Sequence, residues 1–221
     1  MAEADIAAAL RSFLPEDCVL SREEERRPYE CDGLTVFRQL PGLVVLPRTE
    51  QQLHQVLLTC NRLKVPVVAR GAGTGLSGGA TPHARGVLLS CARLNRILEI
   101  DPHGRTARLE PGVPNLRVSE AAAAHGLYYA PDPSSQVACS IGGNVAENSG
   151  GVHCLKYGLT VHNVLGVRGY TMEGELLELG GEWRLAASWD FCQLRSIGSL
   201  ERDDSEDINK MRREAQLVSY D

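Results

Sequence analysis

The amino-acid sequence predicts an α+β fold in which helices and strands are interleaved. Short apolar runs, typical of buried strands, alternate along the chain with longer segments whose apolar residues recur at a helical period. Hydrophobic residues make up 43% of the 221-residue chain and charged residues 23%, which is typical of a globular protein with a hydrophobic core.

Three helices are predicted by apolar spacing together with start and stop signals. Residues 4–14 place their apolar side chains on one face. A second helix is predicted to begin after Thr49, because the sequence that follows has the pattern of a helix N-terminus and then an apolar stripe. A third is predicted to begin near Pro114 and to end just before Gly126. Predicted strands are 43–47, 65–69, 87–90, 97–100 and 106–109, and a hairpin is predicted over 161–170 and 175–179.

The chain changes character near residue 181. Of its 22 glycines, 21 lie at or before Gly181, and residues 201–214 carry ten charged side chains. We therefore predict an N-terminal helix with a charged segment (1–28), one organised domain (29–181) and a C-terminal segment of different character (182–221).

Composition and charge exclude several classes of function. The net charge of −5 argues against nucleic acid as the main partner. The apolar runs are too short to span a membrane, and the N-terminus is acidic where a signal peptide is basic, so we expect a cytoplasmic protein. The seven cysteines are odd in number, scattered and without a C-x-x-C pair, which predicts reduced thiols and no metal site.

The first segment that points to chemistry is a glycine-rich loop over residues 70–79, directly after a predicted strand. Five glycines within 71–79 allow the backbone to turn through positive φ and to form a concave set of N–H groups that suits phosphate. An ordinary glycine-rich surface loop is the alternative. The segment also fits the dinucleotide fingerprint and the nucleophile elbow, but both require a helix directly afterwards, and the sequence predicts none there.

The second such segment comprises residues 131–135, 140–151 and 156–158. Two prolines stiffen its entry, serines supply hydroxyl groups, and paired glycines allow backbone to approach a flat or phosphorylated ligand closely. Each polar residue alone is more often a turn or cap residue. Together with the first loop, the segment predicts two backbone walls around one large nucleotide.

These segments, in this order, resemble the FAD-binding domain of the vanillyl-alcohol oxidase (PCMH-type) superfamily. Residues 29–181 are most similar to the FAD-linked large subunit of bacterial glycolate oxidase, with the D-lactate and D-2-hydroxyglutarate dehydrogenases as related enzymes. The motifs that carry the resemblance are L-V-V-L-P at 43–47, R-G-A-G-T-G at 70–75, P-D-P-S-S at 131–135, G-G-N-V-A at 142–146, N-S-G-G at 148–151 and Y-G at 157–158.

The resemblance implies a PCMH-type FAD-binding domain of two α/β subdomains, incomplete at its C-terminus. It implies non-covalent FAD, because Thr74 stands where covalently flavinylated relatives place a histidine, and it implies that the backbone at Val161 meets the adenine. The residues that match the family's FAD contacts are Arg70, Gly71, Ala72, Gly73, Thr74, Gly75 and Leu76 in the first segment and Pro131, Ser134, Ser135, Gly142, Gly143, Asn144, Gly151, Tyr157, Gly158 and Val161 in the second.

The activity that the resemblance implies is hydride removal from a small 2-hydroxy acid, glycolate or D-lactate, to the flavin. Partner subunits, including an iron–sulfur subunit, are implied with it, and these would hold the protein peripherally at the inner membrane. The family continues after Gly181 with the rest of the FAD domain and a substrate-binding cap domain, which this sequence does not match. No catalytic base is therefore assigned, and His153 and His162 are interpreted as structural.

Two kinds of question stay open at the level of sequence. The change near residue 181 is consistent with a truncated or frameshifted gene product, an isoform with another end, or a small subunit completed by a partner. The function is either that of the FAD-binding part of an oxidoreductase or that of a catalytically inactive nucleotide-binding or assembly module.

Overall fold

The computed structural model describes residues 3–180, 190–193 and 195–196, and helices and strands alternate within them. The α-helices are α1 (Glu3–Arg11), α2 (Glu23–Arg26), α3 (Glu50–Leu63), α4 (Asn115–Ala122), α5 (Ile141–Glu147) and α6 (Cys154–Tyr157). The strands are β1 (Val19–Leu20), β2 (Leu43–Val45), β3 (Val67–Arg70), β4 (Val87–Ser90), β5 (Ile97–Asp101), β6 (Thr106–Leu109), β7 (Leu127–Tyr128), β8 (Val164–Tyr170), β9 (Leu176–Gly180), β10 (Asp190–Gln193) and β11 (Arg195–Ser196).

The first subdomain is built on a four-stranded sheet of order β1-β2-β4-β3. Strands β2, β3 and β4 run parallel, and β1 is antiparallel to β2. Helices α1 and α3 cover one face and form a hydrophobic core with it. The side chain of Thr49 caps α3 by accepting a hydrogen bond from the backbone N–H of Gln52 at 3.2 Å, as the sequence predicts. The carboxyl ends of β2, β3 and β4 meet at one edge, which is where ligands bind in such sheets.

The second subdomain is built on an antiparallel sheet of order β5-β6-β10-β8-β9, whose core includes side chains of α4 and α5. Strand β10 (Asp190–Gln193) pairs with β6 on one side and with β8 on the other. This strand lies beyond the boundary predicted at residue 181, so the sheet extends past that boundary. The remainder of 182–221, including the highly charged stretch 201–214, lies outside the described residues.

The predicted helix near Pro114 and the predicted hairpin both form, with shifted ends. Helix α4 covers Asn115–Ala122 and continues as a 3-10 turn to His125, and Gly126 follows with φ of +68°. Strand β8 begins at Val164, later than predicted, because Thr160–Asn163 form a 3-10 turn. Two hydrogen bonds hold this turn in place, because Thr160 donates from its N–H and its hydroxyl to the carbonyl oxygen of Ser149, eleven residues earlier.

A polar contact joins the two subdomains between α3 and the β8–β9 hairpin. The hydroxyl of Tyr170 donates to Oε1 of Glu50 at 2.5 Å, and Arg168 lies 3.4 Å from the same oxygen. The ring of His54 stacks on Tyr170 at 4.5 Å between centroids, and its Nε2 lies 2.8 Å from the carbonyl oxygen of Gly174. Burial raises the pKa of Tyr170, and the hydrogen bond to Glu50 raises it further, so this hydroxyl stays a donor at neutral pH.

We expect the purified chain to self-associate through the β8–β9 hairpin. Leu165, Leu177 and Leu179 share one face of it and are 47%, 46% and 56% exposed. Strand β9 is also an edge strand, and exposed apolar edges promote association. Size-exclusion chromatography with light scattering should show species larger than the monomer, and Leu177→Glu combined with Leu179→Glu should reduce them. A monodisperse wild-type monomer with a sharp thermal transition would contradict this expectation.

Candidate functional site

The glycine loop begins where β3 ends, at the carboxyl edge of the parallel sheet. Gly73 has φ of +74° and Gly78 has φ of +77°, conformations that residues with a side chain rarely adopt. Over the part of the chain that the structure describes, the N–H groups of 71–75 donate no hydrogen bond to the protein. Such a run of free backbone donors in an irregular turn is suited to binding an anion.

The side chain of Arg70 lies behind this loop. A Cβ atom placed on Gly73 would be 2.0 Å from Nη2 of Arg70, so the guanidinium group packs directly against the loop backbone. Its Nη1 donates to the carbonyl oxygen of Cys31 at 2.8 Å, and the group lies 5.6 Å from the ring centroid of Tyr29. Burial lowers the pKa of Arg70, partly offset by Cys31, Tyr29 and Asp32, but an arginine remains protonated at neutral pH. A positive charge therefore lies close to the free N–H groups.

Helix α5 brings the second glycine-rich segment into contact with the loop. The hydroxyl of Ser140 caps the helix by accepting from the N–H of Gly143 at 3.4 Å. A Cβ atom on Gly71 would lie 2.3 Å from the same hydroxyl, so loop and helix start approach as closely as glycine permits. At the other end, Ser77 donates from its hydroxyl to Glu147 at 2.9 Å. The structure therefore places the two segments side by side, one from each subdomain.

Residues 131–135, which begin the second segment, lie against Gly151 in the same segment. A Cβ atom on Gly151 would be 1.9 Å from the carbonyl oxygen of Asp132, so only glycine fits there. The buried amide of Asn115 donates to the carbonyl oxygen of Pro131 at 3.0 Å. Ser134 is exposed and Ser135 is half-buried. Nδ1 of His153 lies 2.7 Å from Oδ2 of Asp132, so this pair links the start of α6 to residues 131–135.

Tyr157 is the last residue of α6, and Gly158 and Val161 lie in the turn that leads from it into β8. Tyr157 is buried, and its carbonyl oxygen accepts from the side chain of Asn163 at 2.9 Å. Gly158 has φ of +77°. The N–H of Val161 donates to Oδ1 of Asn148 at 3.0 Å, so it is tied to the end of α5.

Two apolar spaces lie beside α5, one at each side of β8. A groove of about 230 Å³ is lined by Val161 together with Val145, Val164, Leu165 and Leu179. A cavity of about 400 Å³ lies between the subdomains, and its lining includes Ala69, Gly142, Val145, Val167 and Tyr170. Spaces of this size and apolar character are suited to flat ring systems.

Asn144 is the clearest sign of a ligand in the second segment. Its side chain is 1% exposed, and its Nδ2 has no hydrogen-bond partner among the described residues. A buried amide without a partner destabilises a fold, so such a group in a native structure calls for an acceptor from elsewhere. Asn148 ends α5 in the left-handed conformation, with φ of +49°.

Several residues that shape the site were not predicted from sequence. Asp32 and Glu147 each bind the glycine loop, and Ser140 caps α5. The serine could have been found, since a serine directly before a helical segment is the usual N-cap. Leu76, which was predicted to contact the cofactor, is 67% exposed.

Comparison with known proteins identifies the family to which this domain belongs. The family model described as FAD binding domain matches residues 41–180. The chain belongs to this FAD-binding family. The chain is 60% identical over 189 residues to glycolate oxidase subunit GlcD of Escherichia coli. The aligned residues cover 86% of this chain and 38% of that protein. It is 33% identical over 186 residues to D-2-hydroxyglutarate dehydrogenase of Stutzerimonas stutzeri, covering 84% of this chain and 40% of that one.

The fold of this FAD-binding domain is also found among solved structures. Alkyldihydroxyacetonephosphate synthase superposes with a TM-score of 0.77 at 19% identity, over 89% of this chain and 41% of that one. This likeness confirms the PCMH-type fold that the sequence predicts. The chain thus spans about 40% of these relatives. No helix among the described residues has the length and apolar character needed to cross a membrane.

FAD is the cofactor of this domain, and the residues present fit it. A diphosphate needs several hydrogen-bond donors and a nearby positive charge, and the N–H groups of 71–75, which donate to nothing among the described residues, and Arg70 can supply them. The glycines at 71, 73 and 151 leave no room for a side chain, and the unpartnered amide of Asn144 offers a donor to a polar ligand atom.

Proposed function

We propose that this chain binds FAD non-covalently, with its diphosphate on the glycine loop and the rest along α5 and the turns that follow it. The observation that carries the proposal is the loop itself: free N–H groups at 71–75, a guanidinium group behind them and α5 in contact with them. Thr74 stands where covalently flavinylated relatives place a histidine, so the imidazole that would attach the flavin is missing at this position. The residues proposed to hold FAD are Arg70, Gly71, Ala72, Gly73, Thr74, Gly75, Leu76, Pro131, Ser134, Ser135, Gly142, Gly143, Asn144, Gly151, Tyr157, Gly158 and Val161.

We further propose that the chain is the FAD-binding part of an oxidoreductase that converts a small 2-hydroxy acid, glycolate or D-lactate, to the 2-oxo acid. Support comes from the identity to glycolate oxidase subunit GlcD and to a D-2-hydroxyglutarate dehydrogenase. Bound flavin supplies the hydride acceptor in this chemistry. The residues of this chain contribute by fixing the cofactor: the loop and Arg70 bind the diphosphate, and Asn144 donates a hydrogen bond to it.

Partners and location follow from the same likeness. The relative in Escherichia coli is named as a subunit, so we propose that this chain also works with other subunits, including an iron–sulfur subunit that receives the electrons. We propose a cytoplasmic location, with peripheral contact to the inner membrane through those subunits.

FAD binding is the experiment that tests the proposed function. The chain, purified with FAD, should be yellow with flavin absorbance near about 450 nm, and titration should quench flavin fluorescence. Asn144→Leu should weaken FAD binding by about tenfold, because one hydrogen bond to the cofactor is lost. The same change should leave the apoprotein as stable or more stable, because it removes an unpartnered buried amide.

Asn61→Leu is the matched control, since Asn61 lies on α3 and, among the described residues, its side chain binds only Nζ of Lys64. It should leave FAD affinity unchanged. A folded, colourless chain that does not bind FAD would contradict the proposed function and would favour an assembly module without a cofactor.

A further inference from the structure

A short segment that precedes β2 lies against the glycine loop. Residues 31–34, which we call the strap, contact the glycine loop or the side chain of Arg70 at three points. The carbonyl oxygen of Cys31 accepts from Arg70 at 2.8 Å, the N–H of Gly33 donates to the carbonyl oxygen of Gly75 at 3.0 Å, and Oδ2 of Asp32 accepts from the N–H of Gly78 at 2.8 Å. The last contact joins residues 46 positions apart in sequence.

Asp32 is the buried member of the strap. It is 6% exposed, and each of its carboxylate oxygens accepts a backbone hydrogen bond, Oδ1 from Leu34 at 3.0 Å and Oδ2 from Gly78. Hydrogen bonds to a carboxylate are stronger than those between neutral groups. An asparagine in this place would turn its NH₂ group toward one of the two N–H donors, so it could keep only one of these bonds.

The backbone of the strap also limits where the loop can lie. A Cβ atom on Gly33 would be 2.8 Å from the carbonyl oxygen of Thr74 and 3.1 Å from that of Gly75, and both are backbone atoms. The two chain segments are therefore packed together peptide against peptide. The loop cannot shift toward the strap, and a side chain at Gly33 would push it away.

The loop depends on such contacts because it has no regular structure of its own. The residues between β3 and β4 form turns and bends, and glycine-rich backbone loses much conformational entropy when it is ordered. On the opposite side, Glu147 binds the loop through Ser77, but both side chains are exposed there. A binding site that is ordered in advance binds its ligand more tightly, because less entropy is lost on binding.

We propose that Asp32 is a positioning residue for FAD: it acts through the glycine loop, holding the N–H groups of 71–75 in the arrangement that receives the diphosphate. The proposal rests on the proposed placement of FAD on this loop. It assigns a role to the strap that the glycine motif itself does not contain, and it predicts that FAD affinity depends on residues that do not touch FAD.

The test compares Asp32→Asn and Gly33→Ala with wild type. Asp32→Asn should raise the FAD dissociation constant about 10- to 100-fold, since it removes a charge-assisted hydrogen bond. Hydrogen–deuterium exchange of the apoprotein should increase at the hydrogen-bonded N–H groups that join the strap to the loop, those of Gly33 and Gly78, and stay unchanged in β2 and β4. Gly33→Ala, which keeps the carboxylate, should weaken FAD binding in the same direction. Matched controls are Asp101→Asn, a carboxylate that binds the N–H of His103 in another turn, and Gly126→Ala, whose Cβ would meet nothing within 4 Å.

The outcomes separate the proposal from the proposed function. If wild type binds FAD and both strap variants bind it as tightly, with unchanged exchange at the N–H groups of Gly33 and Gly78, the positioning role of Asp32 is overturned. If exchange rises throughout the first subdomain in both variants, Asp32 is a general stabilising residue and the proposal is likewise overturned. If wild type itself does not bind FAD, the failure is that of the proposed function, and the exchange data still decide whether Asp32 orders the loop. Should Asp32→Asn fail to fold, Gly33→Ala decides the matter alone.

Discussion

Gly73→Val is expected to abolish FAD binding while leaving most of the secondary structure intact. The residue has φ of +74°, which a β-branched side chain strongly resists. Its Cβ would lie 2.0 Å from Nη2 and 2.3 Å from Cζ of Arg70. The valine would therefore displace either the loop N–H groups or the guanidinium group behind them, and both are proposed to bind the diphosphate.

The measurement is flavin content after purification with excess FAD, with circular dichroism to show that the chain is folded. Gly126→Val is the matched control, because Gly126 also has a positive φ, of +68°, and a Cβ there would meet nothing within 4 Å. Normal flavin content in a folded Gly73→Val protein would show that the loop does not hold the cofactor. The collision that the structure shows is with Arg70, within the protein itself.

Local sequence patterns predict the elements of this fold well wherever local interactions decide them. The cap at Thr49, the helix that ends before Gly126 and the parallel strands that supply the core all follow from spacing and capping rules. Strand β8 starts later than predicted because the hydroxyl of Thr160 bonds back to Ser149, an interaction that apolar spacing does not record. Strand β10 was not predicted, because its place in the sheet depends on pairing with β6 and β8, which are distant in sequence.

The candidate site also has features that local sequence patterns predict and features that depend on residues distant in sequence. The two glycine-rich segments could be found because glycine density and order are visible in the sequence. The contact between these segments depends on how the two subdomains are packed. It consists of Gly71 against Ser140 and of Ser77 against Glu147. Asp32 has no signal of its own in the sequence, since its partner is the N–H of Gly78, and backbone donors are present at almost every position.

Three polar side chains of the candidate site already bind other groups of the protein. Arg70 donates to the carbonyl oxygen of Cys31, Asp32 accepts from Gly78, and His153 is paired with Asp132. These contacts hold the loop and the second segment, and Arg70 is in addition proposed to bind the diphosphate, so none of the three is placed to orient the carboxylate of a 2-hydroxy acid. The chain spans 38% of the length of glycolate oxidase subunit GlcD of Escherichia coli, so most of that relative's residues have no counterpart here.

We therefore expect the FAD-loaded chain alone to show no measurable dye reduction with glycolate or D-lactate. Orienting a substrate against the flavin is worth up to about 7–11 kcal/mol, and without groups that position the acid most of this contribution is lost. The assay follows an artificial electron acceptor with each acid in excess, and heat-denatured protein gives the background rate. Reduction of the bound flavin by dithionite is the control that the cofactor is redox-competent. Steady turnover with either acid, well above background, would contradict the expectation, because it would mean that this chain builds a substrate site of its own.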